Sequence, residues 1–194
     1  MTMNEGATRP MSTTTSVALP GFAAPAASFE QPFEMLGACH ERVRRSLALL
    51  SRLIEHIEQH GHSQQTRDAA SSVLRYFDQA GPHHHADEER HIFPVLHQHP
   101  DARVRQAAAT LHADHIAMHE MWQRLRAVLL GWRDAPAPAP VSDGQRQLAL
   151  DFITAYERHI LLEDEVAYPA ARALLDTAHL AAAGQEMAAR RQQS

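Results

Sequence analysis

Apolar residues recur at intervals of three and four along the chain from residue 32 onward. The first stripe contains Leu36, His40, Val43, Leu47, Leu50, Ile54 and Ile57, and it stops near Gly61. A second contains Val73, Phe77, Ala80, His84, Glu88 and Val95. A third contains Val104, Ala108, Leu111, His115, Met118, Trp122, Leu125, Leu129 and Trp132, and a fourth contains Leu148, Phe152, Ala155, His159, Glu163 and Val166. These spacings place side chains on one face of an α-helix, so the pattern predicts four long helices.

Turn and capping residues mark where these helices are interrupted. The Gly81-Pro82 pair predicts a kink in the second helix. The run at 99–101, His-Pro-Asp, predicts a turn that ends in a helix cap. The stretch DAPAPAP at 134–140 is typical of a linker, and Ser142 with Gln145 forms a capping box that opens the fourth helix.

Composition changes at both ends of the chain. Residues 1–29 are rich in Thr, Ser, Ala and Pro without a helical period, which predicts a disordered leader. Residues 30–176 carry the four helices, and a short Ala-rich helix begins near Thr177 in the segment 177–194. We expect this helix to be a solvated cap, with contacts through Arg190 and Arg191 as the alternative. The predicted fold is all-α, an antiparallel up-down-up-down four-helix bundle with a short C-terminal helix.

The two helix pairs repeat each other without a gap. An offset of 75 residues maps His40 onto His115, His84 onto His159, Glu88 onto Glu163 and Pro94 onto Pro169. The same offset pairs Leu36 with Leu111, Leu50 with Leu125, Phe77 with Phe152 and Phe93 with Tyr168. Because chemically special positions coincide at one offset, the chain has an internal two-fold repeat.

Composition narrows the function classes. The net charge of −5 gives no reason to expect a nucleic-acid or anionic-membrane partner. Cys39 is the single cysteine of the 194 residues, so no intrachain disulfide forms and a cytoplasmic, reducing compartment is favoured. The 15 histidines, against 18 Lys and Arg, are unusually many, and metal ligation is one of the few reasons for such a number.

Four histidines lie on the apolar stripes, one on each helix, together with two glutamates. For any one histidine alone, a buried side chain with a single hydrogen bond would be the favoured interpretation. Two buried, ionised glutamates, however, would cost roughly several kcal/mol each without compensating positive charge. A pair of divalent cations supplies that charge and accepts the imidazole lone pairs. Imidazoles with bridging carboxylates suit iron, with manganese or zinc as substitutes.

The motifs HHHADEERHIFP, HILLEDEVAYP, ACHERV and ADHIAMHE resemble those of the hemerythrin-like (HHE cation-binding) family over about residues 32–172. The resemblance implies a non-haem di-iron site in a four-helix bundle, the irons optionally joined by an oxo or hydroxo bridge. The implied metal ligands are His40, His84, Glu88, His115, His119, His159 and Glu163.

The resemblance also implies a role for each ligand. His40 and His84 would hold one iron, and His115 and His159 the other. Both Glu88 and Glu163 would bridge the two irons. His119 matches the fifth histidine of oxygen carriers, although its repeat partner is Arg44. Oxygen carriers place an aspartate where this chain has Asp164, but the repeat favours Glu163.

Function remains open among three classes. A shell with only two carboxylates favours reversible binding of oxygen or nitric oxide, for carriage, storage or sensing, by a monomer or weak homo-oligomer. A di-iron enzyme or iron-handling protein is the first alternative, and a non-metal interaction module is the second. The neighbouring pair His85 and Glu89 is expected to be exposed or to contact a ligand from outside. An apolar pocket or simple core packing is predicted for Phe77, Leu111, Trp122, Phe152 and Tyr156.

Overall fold

The computed structural model describes residues 28–136 and 139–192, and within these ranges it contains helices and no strand. The α-helices are α1 (Pro32–His60), α2 (Gln64–His91), α3 (Phe93–His97), α4 (Ala102–Asp134), α5 (Asp143–Leu162), α6 (Tyr168–Leu174) and α7 (Thr177–Gln192). A five-residue π-helical segment, Glu163–Ala167, joins α5 to α6. The predicted disordered leader, residues 1–29, lies outside the described residues except for its last two positions.

The four long helices pack around a shared interior, with α1 against α2, α2 against α4, α4 against α5, and α5 against α1. The predicted apolar stripes face this interior, where Leu50, Leu125, Leu129 and Phe152 are fully buried. Each such side chain contributes about 1.5–3 kcal/mol of hydrophobic stabilisation. The all-helical prediction is therefore confirmed for the described part of the chain.

The interior contains two apolar clusters with polar residues between them. On α1, Leu36 belongs to one cluster and Val43 to the other, and His40 stands between them. On α4, His115 stands in the same way between Leu111 and Met118. A polar layer therefore crosses the interior of the bundle between the two apolar clusters. In such surroundings, away from water, a buried charge without a partner is costly in free energy.

Capping residues set the helix starts. Asp101 caps α4 by accepting a hydrogen bond from the Arg103 N–H, as the turn at 99–101 predicted. Ser142 and Gln145 form the predicted capping box of α5. At the other end of the first helix, Gly61 follows α1 with φ 74°, a conformation that favours glycine.

Two helices end earlier than their stripes predicted. The second stripe included Val95, but α2 ends at His91 and α3 begins at Phe93, because Pro94 lacks a backbone N–H. The fourth stripe included Val166, but α5 ends at Leu162 and gives way to the π-helical segment. By contrast, α2 continues through Pro82 as one helix.

The C-terminal helix α7 is docked on the bundle, which agrees with the alternative of contacts through Arg190 and Arg191 and not with the default of a solvated cap. Met187 is fully buried, and Gly184 lies so close to the start of the described chain that an added Cβ would be 1.8 Å from the Phe29 carbonyl oxygen. An ion-pair cluster holds the end of α7 to α2, with Arg190 Nη2 at 2.7 Å and Arg191 Nη2 at 2.6 Å from the fully buried carboxylate of Asp87. Across residues 28–136 and 139–192, no helix combines the length and apolar character needed to cross a bilayer.

Candidate metal centre

Six of the predicted ligand residues lie together in the polar layer. They form two overlapping groups whose potential ligand atoms lie within 4.8 Å of one another. The groups are His40, His84, Glu88 and Glu163, and Glu88, His115, His159 and Glu163. Helix α1 supplies His40, α2 supplies His84 and Glu88, α4 supplies His115, α5 supplies His159, and the π-helical segment begins with Glu163. All six are buried.

Each glutamate faces one histidine from each half of the repeat. The Glu163 oxygens lie 3.1 Å from His40 Nε2 and 3.0 Å from His159 Nε2. The Glu88 oxygens lie 3.5 Å from His84 Nε2 and 3.4 Å from His115 Nε2. Both carboxylates are therefore shared between the two groups, as bridging ligands would be.

Several of these short contacts are not hydrogen bonds. Both Glu163 oxygens and Glu88 Oε2 are buried without a hydrogen-bond partner among the described residues. His115 Nε2 and His159 Nε2 lie 3.1 Å apart, a hydrogen bond in which one imidazole nitrogen donates and the other accepts. Unpaired carboxylate oxygens and imidazole nitrogens gathered within 4.8 Å of one another are an arrangement that a cation would complete.

The pKa shifts of the central histidines show how strongly the site favours positive charge. Burial lowers the pKa of His159, but the carboxylates of Glu163 and Asp114 outweigh burial and raise it to about 10. Burial also lowers the pKa of His40, but the Glu163 carboxylate outweighs burial and raises it. Burial lowers the pKa of His84 to about 4, so this imidazole stays neutral. Without a metal, protons on some of the imidazoles supply the charge that the glutamates require.

A second set of carboxylates fixes the outer ring nitrogens. Asp164 Oδ1 lies 2.8 Å from His40 Nδ1, and Glu89 Oε1 lies 2.7 Å from His115 Nδ1. These two pairs are related by the same offset of 75 residues. An outer carboxylate holds the imidazole so that its other nitrogen, here Nε2, faces the centre.

The geometry agrees with the comparison to known proteins. The sequence matches the model of the hemerythrin HHE cation binding domain over residues 31–171, which is most of the chain. The chain belongs to the hemerythrin HHE family. It is also 34% identical over 166 residues to an uncharacterized protein of Haemophilus influenzae, covering 86% of this chain and 93% of that one.

Two ligand candidates suggested by the resemblance to this family lie elsewhere. His119 is exposed, belongs to neither group, and has its Nε2 3.5 Å from Gln123 Nε2. Asp164 lies outside the centre, between His40 Nδ1 and Arg44, whose Nη2 is 2.8 Å from Asp164 Oδ2. The sequence left Glu163 and Asp164 as the two candidates for this bridging position. The structure places Glu163, and not Asp164, among the potential ligands of the hemerythrin HHE centre.

Tyr168 enters the centre although the sequence marked it only as the repeat partner of Phe93. Its hydroxyl donates a short hydrogen bond to Glu88 Oε1 and lies 3.1 Å from His40 Nε2. Its ring stacks on that of His40, with the centroids 5.2 Å apart. Burial raises the pKa of Tyr168, and the neighbouring carboxylates raise it further, so the phenol remains a donor. The sequence signal was a hydroxyl at a position where the other half of the repeat has a phenyl ring.

His85 also contacts the centre. The sequence allowed His85 to be either exposed or in contact with a ligand residue, and the structure supports the contact. It is half-buried, and its ring stacks on His115 with the centroids 3.9 Å apart and the planes at 10°. With His115 and His159 it forms a third group of potential ligands. Its expected partner Glu89 pairs with His115 instead.

A cavity of about 420 Å³ adjoins this side of the hemerythrin HHE centre. Its walls include Phe77, Trp122 and Tyr156 from the predicted apolar pocket, together with His85 and His115. The other two residues predicted for that pocket, Leu111 and Phe152, are fully buried and do not line it. The cavity is therefore mainly apolar and reaches the imidazoles of one half of the site.

Proposed function

We propose that this chain is a non-haem di-iron protein that binds oxygen or nitric oxide reversibly, for carriage, storage or sensing. The observation that carries the proposal is the sharing of Glu88 and Glu163 by two groups of ligand atoms. Two cations held by common carboxylates would be close enough to interact with one small molecule. His40 and His84 would hold one iron, and His115 and His159 the other.

The donor set supports iron with manganese or zinc as substitutes. Nitrogen and oxygen donors in a buried site suit these metals, and Cys39 is the single, free cysteine and belongs to none of the groups of potential ligands. Two divalent cations bring more charge than two carboxylates neutralise. The remaining positive charge favours an electron-rich ligand, while the small number of carboxylates stabilises highly oxidised iron poorly.

The surrounding residues would control how a diatomic molecule reaches and remains at the iron pair. Phe77, Trp122 and Tyr156 line an apolar route that accommodates an uncharged small molecule. Tyr168 keeps Glu88 oriented through its hydroxyl hydrogen bond. Asp164 and Glu89 hold two ligand imidazoles by their outer nitrogens. Iron, when bound, would supply the electrons that hold oxygen or nitric oxide, and would recover them when the ligand leaves.

The test measures metal content and then ligand binding. We expect about two irons per chain in aerobically purified protein, and a charge-transfer absorption band that disappears on anaerobic reduction and returns with oxygen. Loss of the band on removing oxygen, and its return over repeated cycles, would support a binder. Fewer than about one transition metal per chain would contradict the proposal and favour the non-metal interaction module.

An enzyme is the second candidate, because the phenol of Tyr168 places a proton donor beside two ligand residues. A di-iron enzyme acting on peroxide or nitric oxide, or a protein delivering iron to damaged centres, would be oxidised irreversibly, turn over, or lose its iron to an acceptor. The same oxygenation experiment therefore separates these functions from reversible binding.

The proposal includes the finer features of the predicted fold and setting. Short connections, such as residues 61–63 between α1 and α2, support an antiparallel up-down-up-down order of the four long helices. Residues 30–176 would form the bundle domain. The free cysteine supports a cytoplasmic location, and the negative net charge supports the absence of a nucleic-acid partner. We expect a monomer or a weak homo-oligomer.

A further inference from the structure

The internal repeat is broken beside one of the two groups of ligand residues. The offset of 75 residues carries each of the four central histidines onto another histidine, but it carries His85 onto Ile160. Ile160 is buried in the apolar core and offers no donor atom. One half of the site therefore has an imidazole that the other half lacks.

The position of His85 is that of a donor to the centre. One of its ring nitrogens lies within 4.8 Å of the potential ligand nitrogens of both His115 and His159. Its ring centroid is 3.9 Å from that of His115 and 5.9 Å from that of His159. Its Nε2 is buried and has no hydrogen-bond partner within the described ranges. A buried imidazole nitrogen without a partner loses free energy unless a ligand satisfies it.

We propose that His85 is a third nitrogen donor to the cation held by His115 and His159. The inference rests on the metal centre of the proposed function and adds that its two cation positions are chemically different. The position at His115 and His159 has three imidazoles, whereas the position at His40 and His84 has two. His119, on the same cavity wall, is exposed and belongs to none of the three groups of potential ligands.

The test uses the full chain loaded with Zn²⁺, which accepts the same nitrogen and oxygen ligands and is diamagnetic. Two variants separate donation from packing, because His85→Phe retains an aromatic ring against His115 while His85→Ala removes it. We expect the unaltered protein to hold two Zn²⁺. In both variants one of the two should be released at a chelator concentration at least about tenfold lower, with the other unchanged. Circular dichroism checks that both variants remain folded.

A direct measurement accompanies the competition assay. In ¹⁵N spectra of the imidazoles, the His85 ring nitrogens should shift on Zn²⁺ loading, while those of His119 should not. Unchanged ¹⁵N shifts of the His85 ring nitrogens on Zn²⁺ loading would overturn the inference. It would also be overturned if His85→Phe retained both cations while His85→Ala released one. Release of one cation from His119→Phe but not from His85→Phe would assign the third imidazole to His119.

The inference and the proposed function fail in different ways. Suppose that the protein binds two Zn²⁺ and the ¹⁵N signals of His85 shift, but the iron form binds neither oxygen nor nitric oxide. The assignment of His85 as a donor would then still hold. The proposed diatomic binding alone would then be wrong. Failure of the unaltered protein to bind two Zn²⁺ would overturn the inference.

Discussion

Replacing Asp164 by alanine should weaken one cation position without abolishing it. His40 is fully buried, and its Nδ1 lies 2.8 Å from Asp164 Oδ1. Removal of an outer carboxylate from a metal-bound histidine typically costs 10–100-fold in affinity. The Asp164 side chain is 37% exposed and also pairs with Arg44, so solvent screening places the effect near the lower limit. We expect a loss of about tenfold, or about 1.4 kcal/mol.

The assay is chelator competition at neutral pH with two matched variants. Glu89→Ala removes the equivalent carboxylate from His115 and should weaken the other cation by a similar factor. Glu163→Ala removes a shared donor and should reduce the capacity from two cations to one at most. If Asp164→Ala loses a cation outright while Glu163→Ala retains both, then Asp164 is the bridging residue and the geometric reasoning fails.

Three further predictions concern stability. Gly184→Ala should lower the melting temperature and increase hydrogen exchange in α7, because the new methyl group meets a backbone carbonyl at 1.8 Å; an unchanged melting temperature would contradict the docking. Replacing both Arg190 and Arg191 by alanine should cost about 3 kcal/mol in urea unfolding, because it leaves the Asp87 carboxylate buried without its partners, and adding Asp87→Leu should recover part of the loss. In the metal-free protein, the raised pKa of His159 stabilises the fold fully below about pH 6.5, and this contribution should disappear as the pH rises through about 10. Urea midpoints that stay constant across this range would exclude that role, and in the loaded protein acid should instead release the metal.

The helical stripes predicted the bundle well because burial of one face determines most of each helix. Gly61 and Ser142 carry local signals for helix ends, and the structure confirms both. The breaks after His91 and Leu162 were not predicted, because the apolar period continues across them. In both places a proline, Pro94 or Pro169, lies in the first turn of the short helix that follows. Proline lacks the backbone N–H that would continue the preceding helix, and apolar periodicity carries no information about it.

The repeat located six central residues because the offset of 75 pairs each of them with a residue of the same type on the other pair of helices. It could not locate His85 or Tyr168, since each departs from the repeat at its own position. Their contacts cross between helices, with His85 against His115 and Tyr168 against His40. Such contacts depend on helix rotation and separation, which one helix's sequence spacing does not specify. His119 is the converse case, a family position whose side chain is exposed and belongs to none of the groups of potential ligands.

The crossing of the glutamates between halves has a thermodynamic consequence. Glu88 of the first half of the repeat reaches His115 of the second half, and Glu163 of the second half reaches His40 of the first. Neither half of the repeat alone supplies all the donors of either group of potential ligands. An ion held by such a group would therefore link the two halves and would bind only when they are associated. At 100 times its dissociation constant such an ion adds about 2.7 kcal/mol to the unfolding free energy. The melting temperature of the protein would therefore depend on the concentration of the free ion as well as on the amino-acid sequence.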